Sequence, residues 1–426
     1  MDNRIEKLLA FLDASPSVYH ATENIANELK NAGYTRLSEA EKWELVPGGK
    51  YYVVRGGAAV LAFRIPQGDI RGFMMSAAHS DRPTFKVKEN FESAGAYTRM
   101  LVERYGGMLI APWLDRPLSI AGRVMVQTPQ GVTSKLVDID KDLLLIPNVA
   151  IHMNRAANDG YKFNPAVDTL PLIGGKDAKG KLQQLLEAEA GGKILGHDLF
   201  LYVRQKSTLW GLEEEFISSA AFDDLECAWG CTQGFLKAED SHSIPVLCVF
   251  DSEEVGSSSV QGAASDLLES VLLRICGSLK LDIYPLLANS FMVSADNAHA
   301  LHPNHPELAD SANAPLLGGG IVLKFNAAQR YCTDGMAAAL LRQVCQEVDV
   351  NVQTYCNRAD LPGGSTLGNI SLGHVSIPTA DIGLPQLAMH SSYETAAVAD
   401  ALALEKAMTA YYGKTLEVTE QGFTLN

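Results

Sequence analysis

Cysteine is scarce in this chain. Seven residues, Cys227, Cys231, Cys248, Cys276, Cys332, Cys345 and Cys356, are spread over 426 positions. An odd count at that density gives no disulfide framework, and no CxxC pair is present to hold a structural zinc. Long apolar runs are also missing. No stretch approaches the ~18 apolar residues of a membrane span, and the N-terminal residues mix charges without leading into a secretory apolar segment. Positive charge is in deficit: 35 Lys and Arg stand against 50 Asp and Glu, a net charge of −15. That balance repels phosphate, so it argues against nucleic acid as a partner and against a polybasic membrane anchor. The expectation is a soluble cytoplasmic protein whose cysteines serve as small buried hydrophobes.

Two familiar motifs fail on inspection. Gly175 to Lys181 has the GxxxxGK spacing of a phosphate loop, but Leu182 stands where a hydroxyl would hold magnesium, and no strong strand is expected before it. The serines Ser257, Ser258 and Ser259 lack the GxSxG elbow of a serine nucleophile.

The composition itself is that of a folded protein, 47% hydrophobic and 20% charged. The length allows two or three domains, or one large domain with an insertion. Apolar spacing predicts helices over 4–12 and from Ser17 to about Gly33, then strands over 51–55, 58–64 and 72–78, the first two joined at Gly56-Gly57. Residues 98–145 read as short β-prone pieces, and a short helix is expected around Leu182 to Ala188. Beyond residue 217, strands (244–250, 290–294, 321–326, 352–355) alternate with helices (267–279, 335–348, 395–412). Such alternation predicts an α/β layered domain with a mainly parallel sheet. The layout is an α/β domain interrupted by a β-rich insertion.

Chemistry-bearing residues gather at the ends of these strands, where ligands collect in open α/β sheets. The apolar run 73–78 ends in His79-Ser80-Asp81. The run 244–250 is followed by Asp251, Glu253 and Glu254. Adjacent glutamates after a core strand repel each other unless a cation or a proton lies between them. Asp223-Asp224 opens a helix-like stretch, where an N-cap is the plain alternative. Asp296 follows the strand 290–294, and His390 precedes the last helix. Each residue has an ordinary structural explanation alone. Together, two His, two Asp and a Glu with a shared carboxylate suit two divalent metals, zinc first, with manganese or cobalt as alternatives.

The chain resembles the aspartyl aminopeptidase family of two-metal peptidases. The likeness is carried by Ala78-His79-Ser80-Asp81-Arg82-Pro83-Thr84-Phe85-Lys86-Val87-Lys88, Phe250-Asp251-Ser252-Glu253-Glu254-Val255-Gly256, Ser294-Ala295-Asp296-Asn297-Ala298-His299 and Pro385-Gln386-Leu387-Ala388-Met389-His390-Ser391. The resemblance implies that Asp223 bridges both metals, that His79 and Asp296 complete one site and that Glu254 and His390 complete the other. It implies Glu253 as general base and Asp81 as the residue that orients His79 or the metal. His299, Lys324 and Tyr331 match substrate-contacting positions, and His152 matches a histidine that enters a neighbouring subunit's site. Lys324 would pair with an acidic substrate; read alone, a lysine ending an apolar strand would carry its amine to water. Arg82 and Glu89 depart from the family pattern, and Arg82 is expected to put an extra cation near the site.

The resemblance implies a three-layer α/β/α metallopeptidase domain (1–89 and 216–426) with a mixed, mainly parallel sheet, interrupted by a β-rich dimerisation domain (90–215). It further implies removal of N-terminal residues from short peptides, Asp and Glu preferred, and a homo-oligomer of twelve subunits built from dimers. Two alternatives stay open: an amidohydrolase of this fold acting on a neutral or non-peptide substrate, and a non-catalytic assembly or cargo protein.

Overall fold

A computed structural model describes residues 2–426. Nine strands form its main sheet. Across the sheet they run Thr35–Arg36, Lys50–Arg55, Ala59–Arg64, Ser243–Phe250, Gly72–His79, Phe291–Ala295, Thr379–Gly383, Ile321–Phe325 and Val352–Cys356. Five of the eight neighbouring pairs are parallel, and three are antiparallel. The sheet is therefore mixed and mainly parallel, as the alternation of elements predicts.

Its central strands are buried on both faces, which explains their unbroken apolar runs. In Ser243–Phe250, Leu247 and Val249 enter one core while Val246, Cys248 and Phe250 enter the other. The first core is closed by the helices Asn3–Asp13, Val18–Asn31, Phe222–Lys237, Gly335–Glu347 and Val398–Tyr412. The second is closed mainly by Leu267–Leu279. This is a three-layer arrangement. The hairpin at Gly56-Gly57 is formed as expected, both glycines having positive φ, 60° and 70°.

A second sheet of six strands is antiparallel throughout and has its own apolar core. Its strands are longer than the short pieces expected from sequence: Thr84–Ala94 and Leu118–Thr128 have 11 residues each, and Tyr97–Tyr105 has 9. One face is half-solvated, so polar residues interrupt each run and disguise its length. The sheet begins with Thr84–Ala94, so position 90 falls inside a strand. The last helix also differs from expectation. It starts at Val398, because Glu394–Ala397 is a strand paired with Phe216–Ser219.

The phosphate-loop lookalike lies between a strand of only four residues, Leu172–Gly175, and a helix, Lys181–Ala190. The Gly180 N–H donates to Glu92 Oε2 at 2.6 Å. A carboxylate of the chain itself thus occupies the helix entrance where an anion would sit. All seven cysteines are free. Among the described residues, no helix is long and apolar enough to cross a membrane.

Candidate metal centre

Three neighbouring parallel strands end together. Phe250 pairs with His79, and Ser294 pairs with Ala77 one step inside the same edge. Their register brings His79, the turn holding Glu253 and Glu254, and Asp296 to one end of the sheet. Asp223 enters from the start of the helix Phe222–Lys237. It is no N-cap: Asp223 and Asp224 have non-helical dihedrals inside the first turn, and no side chain caps the helix. His390 comes from a tight loop, with φ of 66° at His390 and 58° at Ala388.

Asp223 lies at the centre. Its Oδ1 is 3.4 Å from His79 Nε2, and its Oδ2 is 3.4 Å from His390 Nε2. His390 Nε2 is also 3.4 Å from Glu254 Oε2. Ligand atoms of His79, Asp223 and Glu254 lie within 4.8 Å of one another, as do those of Asp223, Asp224 and Asp296. Two groups thus share one carboxylate. Asp223 Oδ1, Asp224 Oδ1 and Glu254 Oε1 are buried without a hydrogen-bond partner. Buried carboxylate oxygens without partners are costly, and divalent cations would satisfy them. The imidazole and carboxylate donors therefore fit zinc-type ions.

The charge state agrees. Burial opposes a charge on His79, yet Asp223 and Asp81 outweigh it and hold its pKa well above the usual imidazole value. Burial likewise opposes a charge on Asp223, but His390 and His79 hold its pKa below the usual carboxylate range. Burial, reinforced by Asp296 and Asp81, pushes Glu253 up to about 8. Burial and Asp223 push Glu254 well up. Without cations, this cluster keeps protons to limit its own repulsion.

Asp81 organises the surroundings. Its carboxylate accepts from Glu253 N and Glu254 N, both at 3.1 Å, and from the Tyr105 hydroxyl at 2.8 Å. His79 Nδ1 donates to the Asp81 carbonyl at 3.1 Å, which turns Nε2 toward Asp223. The site pocket, about 130 Å³, is lined by His79, Asp223, Glu253, Glu254, Asp296 and His390, and also by His299, Lys324 and Tyr331.

Lys324 does not reach water. It is 2% exposed, donates to the Asn297 carbonyl at 2.9 Å and lies 3.7 Å from Asp296. Its amine stays within the lining of the pocket, held by these two partners. Arg82 departs from expectation as well. Its guanidinium turns away from this pocket to the carbonyls of Pro16 at 2.5 Å and Ser15 at 3.5 Å, so it adds no cation to the site. Glu89 is exposed, 4.0 Å from His197. His152 is not brought to the centre within one chain; it is exposed among turns of the segment 147–170.

Sequence reasoning gave no role to two carboxylates here. Glu394 Oε2 accepts from Phe222 N at 2.9 Å and Asp223 N at 3.1 Å, while Oε1 accepts from His390 N at 2.8 Å. It ties the Asp223 turn to the His390 loop. Asp224 accepts from His79 N at 3.1 Å. The only sequence signal was position, beside Asp223 and four residues beyond His390.

Comparison with known proteins gives a consistent answer. A family model described as aminopeptidase I zinc metalloprotease (M18) matches residues 11–412. A probable M18 family aminopeptidase 2 of Clostridium acetobutylicum is 41% identical over 431 residues, covering 97% of this chain and 100% of its own. Among solved structures, Ape4 in its complex with Nbr1 superimposes with a TM-score of 0.93 at 35% identity, covering 96% of this chain and 85% of that one. The S. cerevisiae mApe1 dodecamer gives 0.85 at 26% identity, with 96% of each chain covered.

Proposed function

The chain belongs to the M18 family of zinc aminopeptidases, and from that premise we propose that it removes N-terminal Asp or Glu from short peptides using two divalent ions held around Asp223. The observation that carries this reading is the position of Asp223, with one oxygen facing His79 and the other facing His390. His79 and Asp296 would complete one site, and Glu254 and His390 the other. Bound there, zinc ions, or manganese or cobalt, would polarise the scissile carbonyl and lower the pKa of a water toward neutrality.

The remaining work falls to side chains of the chain. Glu253 takes the proton of the attacking water on its carboxylate and returns it to the leaving amine. Asp81, through the N–H groups of Glu253 and Glu254, holds that base and its neighbour in place. Lys324 is the buried cation of the pocket. The charge of Asp296 holds its pKa above the usual lysine value although burial opposes it. A cation there favours an acidic substrate side chain, and the orientation of Arg82 removes a competing one.

The six-stranded sheet serves as the dimerisation unit in this reading, and the divisions 1–89 with 216–426 and 90–215 stand as its approximate limits. An exposed His152 suits a residue that completes a neighbouring subunit's site, where it would stabilise the oxyanion. The assembly would be a dodecamer built from dimers; the yeast relative is itself a dodecamer. Free cysteines suit a cytoplasmic setting.

A panel of aminoacyl substrates with Asp, Glu, Leu or Lys at the N-terminus tests the proposal, with metal content measured on the same sample. Faster turnover of Asp and Glu is expected. A preference for Leu would overturn the acidic specificity but leave the peptidase mechanism standing.

A further inference from the structure

A second cavity, about 320 Å³, adjoins the metal pocket. The two share His299, Tyr355, Gly364 and Met389 along their linings. Lys324, Asn297 and Tyr331 are buried residues in the lining of the metal pocket. In an aminopeptidase, one residue precedes the scissile bond and every other residue follows it. With the first residue beside Lys324, as the reading above has it, the rest of the chain must leave the metal pocket by another side. The adjoining cavity offers such a way out.

Its walls indicate what they accept. Leu308, Leu361, Pro315, Pro362 and Met389 make an apolar surface, with Leu308 56% and Leu361 42% exposed. Its cation, Arg358, is already engaged. It pairs with Asp360 at 2.8 Å and also donates to the Glu307 carbonyl. His305 pairs with Glu307 at 3.1 Å, and His302 accepts the Asn304 N–H. Arg358, His305 and His302 thus have partners within the chain, while His299 and the Gln386 amide, whose Nε2 is buried without a partner, are polar points on a wall that is otherwise largely apolar. The volume is at the lower end of the ~300–1,000 Å³ typical of ligand pockets.

We propose that this cavity binds the peptide just downstream of the scissile bond and selects substrates with a large apolar second residue. Leu308 and Leu361 form the contact surface for that side chain. The proposal rests on the aminopeptidase reading above and adds a second specificity to it. The chain would then favour short peptides with an acidic residue followed by an apolar one.

The test uses the full-length, metal-loaded protein and peptide pairs X-Leu-Gly and X-Gly-Gly, where X is the N-terminal residue cleaved fastest. The expected kcat/KM for X-Leu-Gly is about tenfold or more above that for X-Gly-Gly, the scale of a filled apolar pocket. In a Leu308→Ser, Leu361→Ser variant the ratio should fall toward one, because kcat/KM for X-Leu-Gly drops by more than that for X-Gly-Gly. A Leu308→Met, Leu361→Met variant should keep the ratio. A parent ratio near one, or a ratio that survives both serines, overturns the proposal. So does loss of the ratio accompanied by a change of assembly size on gel filtration, which would make this face a subunit contact. Absence of metal-dependent cleavage of every peptide would remove the aminopeptidase reading as well, which separates the two failures.

Discussion

Asp223 is held from its backbone as well as through its carboxylate. Glu394 takes its N–H and that of His390, so one buried carboxylate sets the spacing of two proposed ligands. Glu253 differs from its neighbours. It lines the pocket and, like His390, lies outside both groups of clustered ligand atoms, but unlike His390 it has no ion-pair contact with Asp223. Replacing Glu253 with Gln should therefore lower kcat by about 10²–10⁴, the range for a lost general base, while bound zinc measured by mass spectrometry stays at the parent level. Loss of metal together with activity would make Glu253 a ligand instead. Much of this was legible in the sequence, because acids and histidines that follow apolar strands stand out. Glu394 and Asp224 were not, since each acts through backbone N–H groups that only the folded chain brings near. The direction of Arg82 was also hidden, because its carbonyl partners lie more than sixty residues away.

Among the elements, the segment 105–112 leaves the six-stranded sheet and runs along the metal centre. The Tyr105 hydroxyl donates to Asp81, Leu109 N donates to the His390 carbonyl at 3.0 Å, and the Ser392 hydroxyl donates to the Pro112 carbonyl at 2.7 Å. Gly106 has a φ of 76°, and a Cβ there would meet Glu254 Cβ at 3.1 Å, so the close approach requires glycine. The second sheet thus braces both loops of the centre. A Tyr105→Phe change should reduce kcat about tenfold, the worth of a hydrogen bond of ~1.5 kcal/mol to a charged group. KM and zinc content should hold; steady-state kinetics with metal analysis distinguish this from loss of the centre. The strands and helices of the α/β layers could be read from their apolar runs to within a few residues. The inserted sheet could not, because its half-solvated strands alternate too loosely to show their length, and nothing local marks Tyr105 as facing Asp81.

For the whole molecule, the net charge of −15 includes buried acids that the fold has to neutralise. Burial is the main cause that pushes Glu253 and Glu394 up to about 8, with Asp223 the main charge acting on Glu394. Both values exceed the ~4.3 of an unfolded glutamate. Their stabilising contribution is therefore complete below about pH 4 and is lost as pH rises through about 8. Metal-free protein should melt at a lower temperature at pH 8.5 than at pH 6.5, and added zinc should raise the midpoint more at pH 8.5. Equal gains at both values would count against this electrostatic account. Its central claim is a pair of ions sharing Asp223. The most direct measurement is a zinc titration of metal-free protein, following bound metal per chain and peptide hydrolysis together. The account predicts activity that reaches its plateau at two ions per chain. Full activity at one ion per chain, or in protein free of metal, would contradict it.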